Sequence, residues 1–281
     1  MIAVSVETAV EVATTIFVLT TMFSIGMELS LGQLLAALRK RRLMAKSLVV
    51  NLVAIPVLAY LLVRPLSVEA GYAAGIVLIA VAPGAPFGPK FAEIANGDIE
   101  FASGLMAVLG IVSVVTIPVS LALLLPGTVA VDPLAIGWMI FGIQLLPLLA
   151  GMGLDFRYSA VTNWLYPPVQ RLSDLSFLFL LVLLLAAYSN EMLSLISTGT
   201  LFISVVIIAG SLLLGYVLGG PGRNTREVLA TTTAARNAAI ALFIATTSFS
   251  DPDVLMVVLA FSFIGVVLSG LLAGKWRRPV T

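Results

Sequence analysis

The chain has 281 residues, of which 60% are hydrophobic and 10% are charged, and its mean hydropathy is +1.13. Soluble domains have about 25% charged residues, so this composition indicates an integral membrane protein and argues against a water-soluble enzyme. The net charge of +1 gives no basic surface for nucleic acid, and the absence of Cys and His excludes disulfides, thiolate or imidazole metal sites and Ser–His catalysis.

Nine stretches of the chain are apolar enough to cross the hydrocarbon core, which takes about 20 helical residues. Charge clusters and Pro/Gly breaks place these predicted spans at 8–28, 43–63, 69–96, 98–126, 133–154, 172–190, 197–219, 225–249 and 252–274. We therefore predict an all-α integral membrane protein with nine transmembrane helices in a single polytopic domain over residues 1–281. Residues 155–171 are expected to form the longest connection, because Pro167 and Pro168 would stop a helix.

The distribution of basic residues predicts the orientation of these spans. If the N-terminus is outside, Arg64 is the one basic residue of the connections on that side. The remaining basic residues of the connections then face the cytoplasm, as the positive-inside rule requires: Arg39, Lys40, Arg41, Arg42, Lys46, Arg157, Arg171, Arg223, Arg226, Lys275, Arg277 and Arg278. We therefore expect a multi-pass protein of the cell membrane with its N-terminus outside and its C-terminus in the cytoplasm.

Two of the predicted spans are interrupted. The third contains a run of helix breakers, Pro83, Gly84, Pro86, Gly88 and Pro89, and the eighth has a polar centre at residues 231–237. Proline supplies no N–H and glycine permits non-helical backbone, so the third span should leave backbone groups unpaired. Secondary transporters use broken helices of this kind to bind substrates and ions. The half-helix that starts near Pro89 would direct its positive end at the break and favour an anion.

Lys90 in the third span and Arg236 in the eighth are predicted to be buried cations. A charge at the bilayer centre costs about 2.5–3.5 kcal/mol, so it usually faces a cavity or a partner and marks a pathway. Structural alternatives exist for both residues: Lys90 could pair with Glu93 or extend to the interface, and Arg236 could anchor helix ends. Asn51 and Gln144 could line a cavity or bond to a neighbouring helix.

Three stretches resemble the bile acid:sodium symporter family: FSIGMELSLGQL after the first span, APGAPFGPKFAEIANGD in the third and TTTAARNAAIALFIA in the eighth. They lie in the family's order and spacing, and the span pattern agrees over nearly the whole chain. The resemblance implies inverted repeats with two crossed, broken helices, in which a core domain rocks against a panel domain around the site. Some members lack the first family helix and have nine spans. The related arsenite exporters use an intramembrane Cys, which is absent here.

The sodium-binding pattern of the family is largely absent. Its first broken helix typically reads Ala-Pro-Gly-Gly-x-x-Ser-Asn; residues 82–84 match it, but Gly88 and Pro89 stand at the Ser and Asn positions. Its second typically carries Glu-x-x-x-Gln-Asn, for which this chain has Thr232, Arg236 and Asn237. Hard cations need several oxygen ligands, so the sequence argues against sodium coupling.

The resulting hypothesis is a secondary transporter that moves a small organic anion, bile acid-like or a carboxylate, by alternating access. Lys90 and Arg236 would supply the charge that two sodium ions supply in the family, and Lys90 and Glu93 are the candidates for proton coupling. No metal or cofactor is expected; the partners are the anion and the lipid bilayer. The predicted binding residues are Pro83, Gly84, Pro86, Gly88, Lys90, Glu93, Thr232, Thr233, Arg236 and Asn237.

Two alternatives remain open at this point. A sodium-coupled organic anion symporter could build its ion sites from backbone carbonyls and the threonines at 231–233. A membrane receptor would bind a ligand without moving it, although such a receptor usually adds an output domain and only about seven residues follow the last predicted span. An enzyme is not expected, because the spans lack His, Cys and paired aspartates.

Overall fold

The computed structural model describes residues 5–65, 68–125, 132–189, 195 and 198–277. These residues form helices and no strands. The helices are α1 (Val6–Glu28), α2 (Leu31–Arg39), α3 (Arg41–Val63), α4 (Ala70–Val81), α5 (Gly88–Ile94), α6 (Ile99–Leu124), α7 (Pro133–Arg157), α8 (Ser159–Ala187), α9 (Thr200–Leu218), α10 (Arg223–Ala235), α11 (Ala238–Ser248) and α12 (Pro252–Trp276).

Eight segments of the described residues are long and apolar enough to cross a membrane: α1, α3, α6, α7, α8, α9, α12, and α10 together with α11. The stretch predicted as the third span consists of α4, an apolar helix of 12 residues, and the shorter α5. Eight such segments establish an all-α, multi-pass architecture. The count of nine spans and the inverted repeats stay predictions, and the predicted span ends at 126, 190 and 197 lie outside the described residues.

The prediction that Pro167 and Pro168 end a helix is wrong. Helix α8 runs continuously through both prolines from Ser159, so the predicted connection at 155–171 is mostly helical. A proline removes the hydrogen bond to the carbonyl four residues earlier, which frees the carbonyls of Asn163 and Trp164. Both residues are exposed, so neighbouring helices do not enclose this part of α8.

Helix α1 packs mainly against α7 and α8. Gly26 and Gly151 allow the backbones of α1 and α7 to touch, because a Cβ on either glycine would overlap the other helix. Against α8, the rings of Phe17 and Phe177 lie 5.2 Å apart, and the hydroxyls of Thr21 and Ser173 lie 2.6 Å apart. Helices α1, α7 and α8 therefore form one packed group.

The broken helices occupy the interior of the protein. Every residue of α4 from Gly71 to Val81 is buried, and so is the most apolar part of α10 and α11. Around α4 lie α3, α6, α11 and α12, while α5 packs on α6, α10 and α12. Because neighbouring helices cover these segments, their irregular backbone lies inside protein rather than in lipid, which is the condition for its stability in a membrane.

Two helices that surround the breaks contain a π-helical turn. The turns span Val50–Ala54 in α3 and Phe141–Leu145 in α7, and each is followed by a proline, Pro56 or Pro147. Proline lacks the N–H for the regular α-helical bond, which favours such a local change of hydrogen bonding. Single π turns often mark functional sites, and here they carry the buried side chains of Asn51 and Gln144.

Candidate functional site

The first break separates α4 from α5 at residues 82–87. Pro83 and Pro86 supply no N–H for a helix, and Gly84 has φ +85°, a conformation that L-residues rarely adopt. Gly84 also lies close to α6, since a Cβ there would be 3.1 Å from the Cβ of Leu109. The sequence of helix breakers therefore produces a buried turn in the middle of the molecule.

The second break consists of Arg236 and Asn237, between α10 and α11. Arg236 has φ +49° and ψ 175°. Residues other than glycine seldom adopt such backbone conformations, which cost of the order of 1–3 kcal/mol. The side chain of Asn237 caps α11 by accepting a hydrogen bond of 3.2 Å from the N–H of Ile240. Surrounding contacts must hold Arg236 in this geometry.

The two breaks contact each other directly. The backbone N–H of Asn237 donates to the carbonyl of Ala82 at 2.9 Å. The guanidinium of Arg236 donates to the carbonyl of Ile79 at 3.3 Å and to the carbonyl of Ala80. The carbonyls of Ile79 and Ala80 lie in the last turn of α4, at the negative end of the helix dipole, and that of Ile79 also accepts from the N–H of Ala82 at 3.2 Å. Arg236 therefore caps α4.

Asn51 completes the surroundings of the guanidinium. Its side-chain and backbone oxygens accept hydrogen bonds from Arg236 at 3.1 and 3.2 Å, and its amide nitrogen donates to Thr233 Oγ1 at 3.2 Å. Four of the five guanidinium N–H groups are thus used, and Arg236 is 1% exposed. In the described part of the chain no ion pair involves Arg236, so carbonyl and amide dipoles balance its charge.

Gln144 binds Asn237, the other residue of the second break. Asn237 Nδ2 donates to Gln144 Oε1 at 3.1 Å, and Gln144 Nε2 donates to the carbonyl of Gly110 at 2.9 Å and to Ser113 Oγ at 2.7 Å. This network connects the second break to α6 and to α7. Arg236 and Asn237, the two residues of the second break, therefore each form a hydrogen bond with a polar side chain in a π-helical turn.

A small cavity lies beside the breaks, between them and the group formed by α1 and α7. Its volume is about 10 Å³, which is room for about one water molecule. It is lined by Met22 and Ile25 of α1, by Gly84 and Pro86 of the first break, and by Gln144 and Asn237, among others. The cavity is amphipathic in character, but no organic anion fits it in this conformation.

The prediction that Lys90 is a buried cation is wrong. Its side chain is 64% exposed, and its Nζ lies 2.7 Å from Oε2 of Glu93, which is 59% exposed. The reason is the shortness of α5: this seven-residue helix buries Phe91 and Ala92 against its neighbours and leaves the face with Lys90 and Glu93 outside. Lys90 instead forms the i,i+3 ion pair with Glu93 that was the structural alternative for this residue.

Thr232 and Thr233 are both fully buried on α10 but differ in their bonding. Thr233 accepts the hydrogen bond from Asn51, whereas Thr232 Oγ1 has no hydrogen-bond partner among the described residues. Thr232 lies against Gly88, where an added Cβ would be 3.0 Å from its hydroxyl oxygen. Gly88 therefore allows the start of α5 to pack closely on α10.

One buried charge was not predicted as a site residue. Glu227 has a fully buried side chain on α10 and pairs with the largely exposed Arg223, whose Nε lies 2.8 Å from Oε1. The i,i+4 spacing of the two charges was the available signal. Asn51 and Gln144 were recognised as polar residues within spans, but the sequence did not show that they contact the break residues.

Residues 15–209 match the model of the sodium bile acid symporter family, which covers the first break but not the second. The chain belongs to this family. The family that the three sequence stretches predicted is thus confirmed. A chloroplastic protein of Arabidopsis thaliana, described as a probable sodium/metabolite cotransporter, is 23% identical over 231 residues, which are 79% of this chain and 56% of that protein. This chain therefore spans about half the length of the curated relative.

The role of Arg236 as a cap predicts a large effect of its removal. We expect Arg236→Ala to lower the free energy of unfolding by about 2–5 kcal/mol, because it removes the buried hydrogen bonds of the guanidinium to the end of α4 and to Asn51. Arg236→Lys should lose less, since it keeps the charge with fewer donors. Chemical denaturation of the purified protein in detergent measures these changes. The control is Arg171→Ala at an exposed arginine; equal stability of the two alanine variants would contradict the capping role.

The two neighbouring threonines provide a matched comparison. Thr233→Val should destabilise the protein by about 1 kcal/mol, because it removes the hydrogen bond with Asn51. Thr232→Val should cost nothing or stabilise slightly, because its hydroxyl is buried with no partner in the part of the chain that the structure describes. Both changes preserve the shape of the side chain, and thermal unfolding in detergent compares them. A loss at Thr232 as large as that at Thr233 would show that its hydroxyl is bonded in the folded state.

Proposed function

We propose that this protein is a secondary transporter that moves a small organic anion by alternating access, and that it needs no bound sodium. Membership of the family and the relative described as a sodium/metabolite cotransporter support transport of a small molecule. The observation that carries the sodium-independent mechanism is the buried guanidinium of Arg236 between the two helix breaks.

The guanidinium performs the tasks expected of a bound cation. It places a permanent positive charge at the C-terminal end of α4 and joins the two breaks through fixed hydrogen bonds. A sodium ion at the same place would meet a like charge and would find few ligands. Thr232 and Arg236 stand where the family typically has Glu and Gln, and no cluster of three or more acidic, His or Cys side chains occurs in the described residues.

The proposed substrate is an anion with an apolar body, such as a carboxylate of bile-acid character. Arg236 has little capacity left to contact it, because four of its five donors are used and it is buried. The anionic group would instead face Asn237 beside Gln144, near the N-terminal end of α11, where the helix dipole is positive, and would replace their present amide hydrogen bond. Met22, Ile25 and Met106 supply the apolar wall of the cavity.

Transport in this proposal requires a rearrangement, because the present cavity holds only about one water molecule. The group of α1, α7 and α8 would act as the panel, and the helices around the two breaks would act as the core. Rocking of one against the other would widen the cavity alternately towards each side. Nine spans in inverted repeats, crossed broken helices and an outside N-terminus in the cell membrane complete this proposal.

The exposed ion pair of Lys90 and Glu93 alters one part of the mechanism. Both side chains are largely exposed and pair with each other on the outer face of α5, away from the two breaks. Arg236 alone therefore supplies the fixed charge, and exchange or uniport of the anion is favoured over proton coupling through Lys90.

A second candidate function is sodium-coupled symport. It is favoured by the hydroxyl of Thr232, which has no hydrogen-bond partner among the described residues and could bind an ion after a rearrangement. It is also favoured by the chloroplast relative, which is described as a probable sodium/metabolite cotransporter. Backbone carbonyls of the first break would have to supply the remaining ligands. In this alternative, Thr232→Val would abolish a sodium effect on ligand binding.

The experiment is thermal unfolding of the purified protein in detergent with a panel of carboxylates, bile acids and sulfonates, in sodium or choline buffer. A ligand at 100 times its Kd stabilises the folded state by about 2.7 kcal/mol. We expect an anion to raise the Tm equally in both buffers. Gln144→Glu should abolish this shift by repelling the anion, whereas the uncharged Gln144→Met should retain part of it. Stabilisation only in sodium buffer would favour the second candidate.

A further inference from the structure

Helix α2 lies at one surface of the membrane. It connects α1 to α3, both of which are long and apolar enough to span a bilayer, so it has to lie where these two spans emerge. Its start is fixed by a capping box, in which Ser30 Oγ accepts from the N–H of Gln33 and Gln33 Oε1 accepts from the N–H of Ser30. It is therefore a defined helix and not an irregular loop.

The two faces of α2 differ. Ala37 is fully buried against α6, where a Cβ on Gly104 would overlap it. On the opposite face, Leu31, Leu35 and Leu38 are 48%, 55% and 42% exposed. Their i, i+4, i+7 spacing places them on one stripe. Water would be an unfavourable environment for three aligned leucines, whereas the boundary between headgroups and hydrocarbon would suit them.

A basic cluster follows this stripe directly. Arg39, Arg41 and Arg42 are exposed, and within the described ranges none of them forms an ion pair. Their neighbour Lys40 differs, since it pairs with Asp98, the residue that caps α6. The three arginines therefore keep their charge available at the same membrane surface as the leucines.

We propose that Leu31, Leu35, Leu38, Arg39, Arg41 and Arg42, the α2 surface, bind anionic phospholipids. The leucines enter the boundary between headgroups and acyl chains, and the arginines bind lipid phosphates. Apolar residues beside clustered cations are the combination by which amphipathic helices recognise anionic membranes. Guanidinium groups suit phosphate because they bind it through two parallel donors. This surface is separate from the transport site and does not depend on the proposed function.

The first experiment titrates phosphatidylglycerol or phosphatidylcholine into the purified protein in detergent and follows the Tm. We expect phosphatidylglycerol to stabilise the protein more, and high salt to reduce the difference. In Arg41→Gln/Arg42→Gln the midpoint of the phosphatidylglycerol titration should move to higher lipid by about fivefold per arginine. Arg171→Gln, at an exposed arginine of α8, is the control. An unchanged midpoint in the double variant would overturn the proposal.

The second experiment tests the position of the leucines. The chain has no Cys, so Leu35→Cys and Gly32→Cys introduce single labelling sites on the exposed stripe and beside it. With an environment-sensitive fluorophore in nanodiscs that contain phosphatidylglycerol, quenching by spin-labelled lipid should be strong at position 35 and weak at 32. Equal, weak quenching at both positions would show that the stripe faces water and would contradict the proposal.

Discussion

The structure depends on how a broken helix satisfies its backbone in a membrane. The last turn of α4 presents carbonyls at the negative end of the helix dipole, and the surrounding helices exclude water from them. Arg236 supplies the donors and a positive charge at the same time. Its unfavourable backbone conformation is consistent with this role, because only a fixed network of contacts can hold a non-glycine residue with φ +49°. The second break thus stabilises the first.

The two π-helical turns extend this arrangement to the rest of the protein. Asn51 in α3 binds the guanidinium, and Gln144 in α7 binds Asn237. The second contact joins two groups of helices, because α7 belongs to the group that includes α1 and α8, while Asn237 belongs to the broken helices. A movement of one group against the other would have to change this bond. Binding of an anion at Asn237 and Gln144 could therefore be coupled to the conformational change.

The sequence predicted the elements of this site but not their connections. The Pro/Gly-rich run predicted a break near Gly84, and the cost of a membrane charge predicted that Arg236 would be buried among partners. Its actual partners are Asn51 and carbonyls of α4. They belong to segments far from Arg236 in sequence, so only the folded structure shows that they lie beside it. Lys90 was predicted to be buried because it was assigned to the third span, directly after the break; the shortness of α5 places it outside.

The effect of proline on helix structure also differs between two parts of the chain. Pro83 and Pro86 interrupt a buried segment, whereas Pro167 and Pro168 lie inside α8 without ending it. The chemical effect on the backbone is the same, but the freed carbonyls of α8 belong to exposed residues and those of the first break are enclosed by protein. Pro118 and Pro147 are buried and also lie inside helices that continue past them, so a proline alone does not determine where a helix ends.

The claim that a fixed guanidinium replaces a bound sodium ion is tested most directly by a sodium titration of the Tm. The titration compares the natural protein with Thr232→Glu/Arg236→Gln, which introduces the residues typical of the family at the second break. Choline at equal ionic strength is the reference. We predict that sodium leaves the Tm of the natural protein unchanged and raises the Tm of the double variant. A sodium-dependent rise in the natural protein, which retains Arg236, would contradict it.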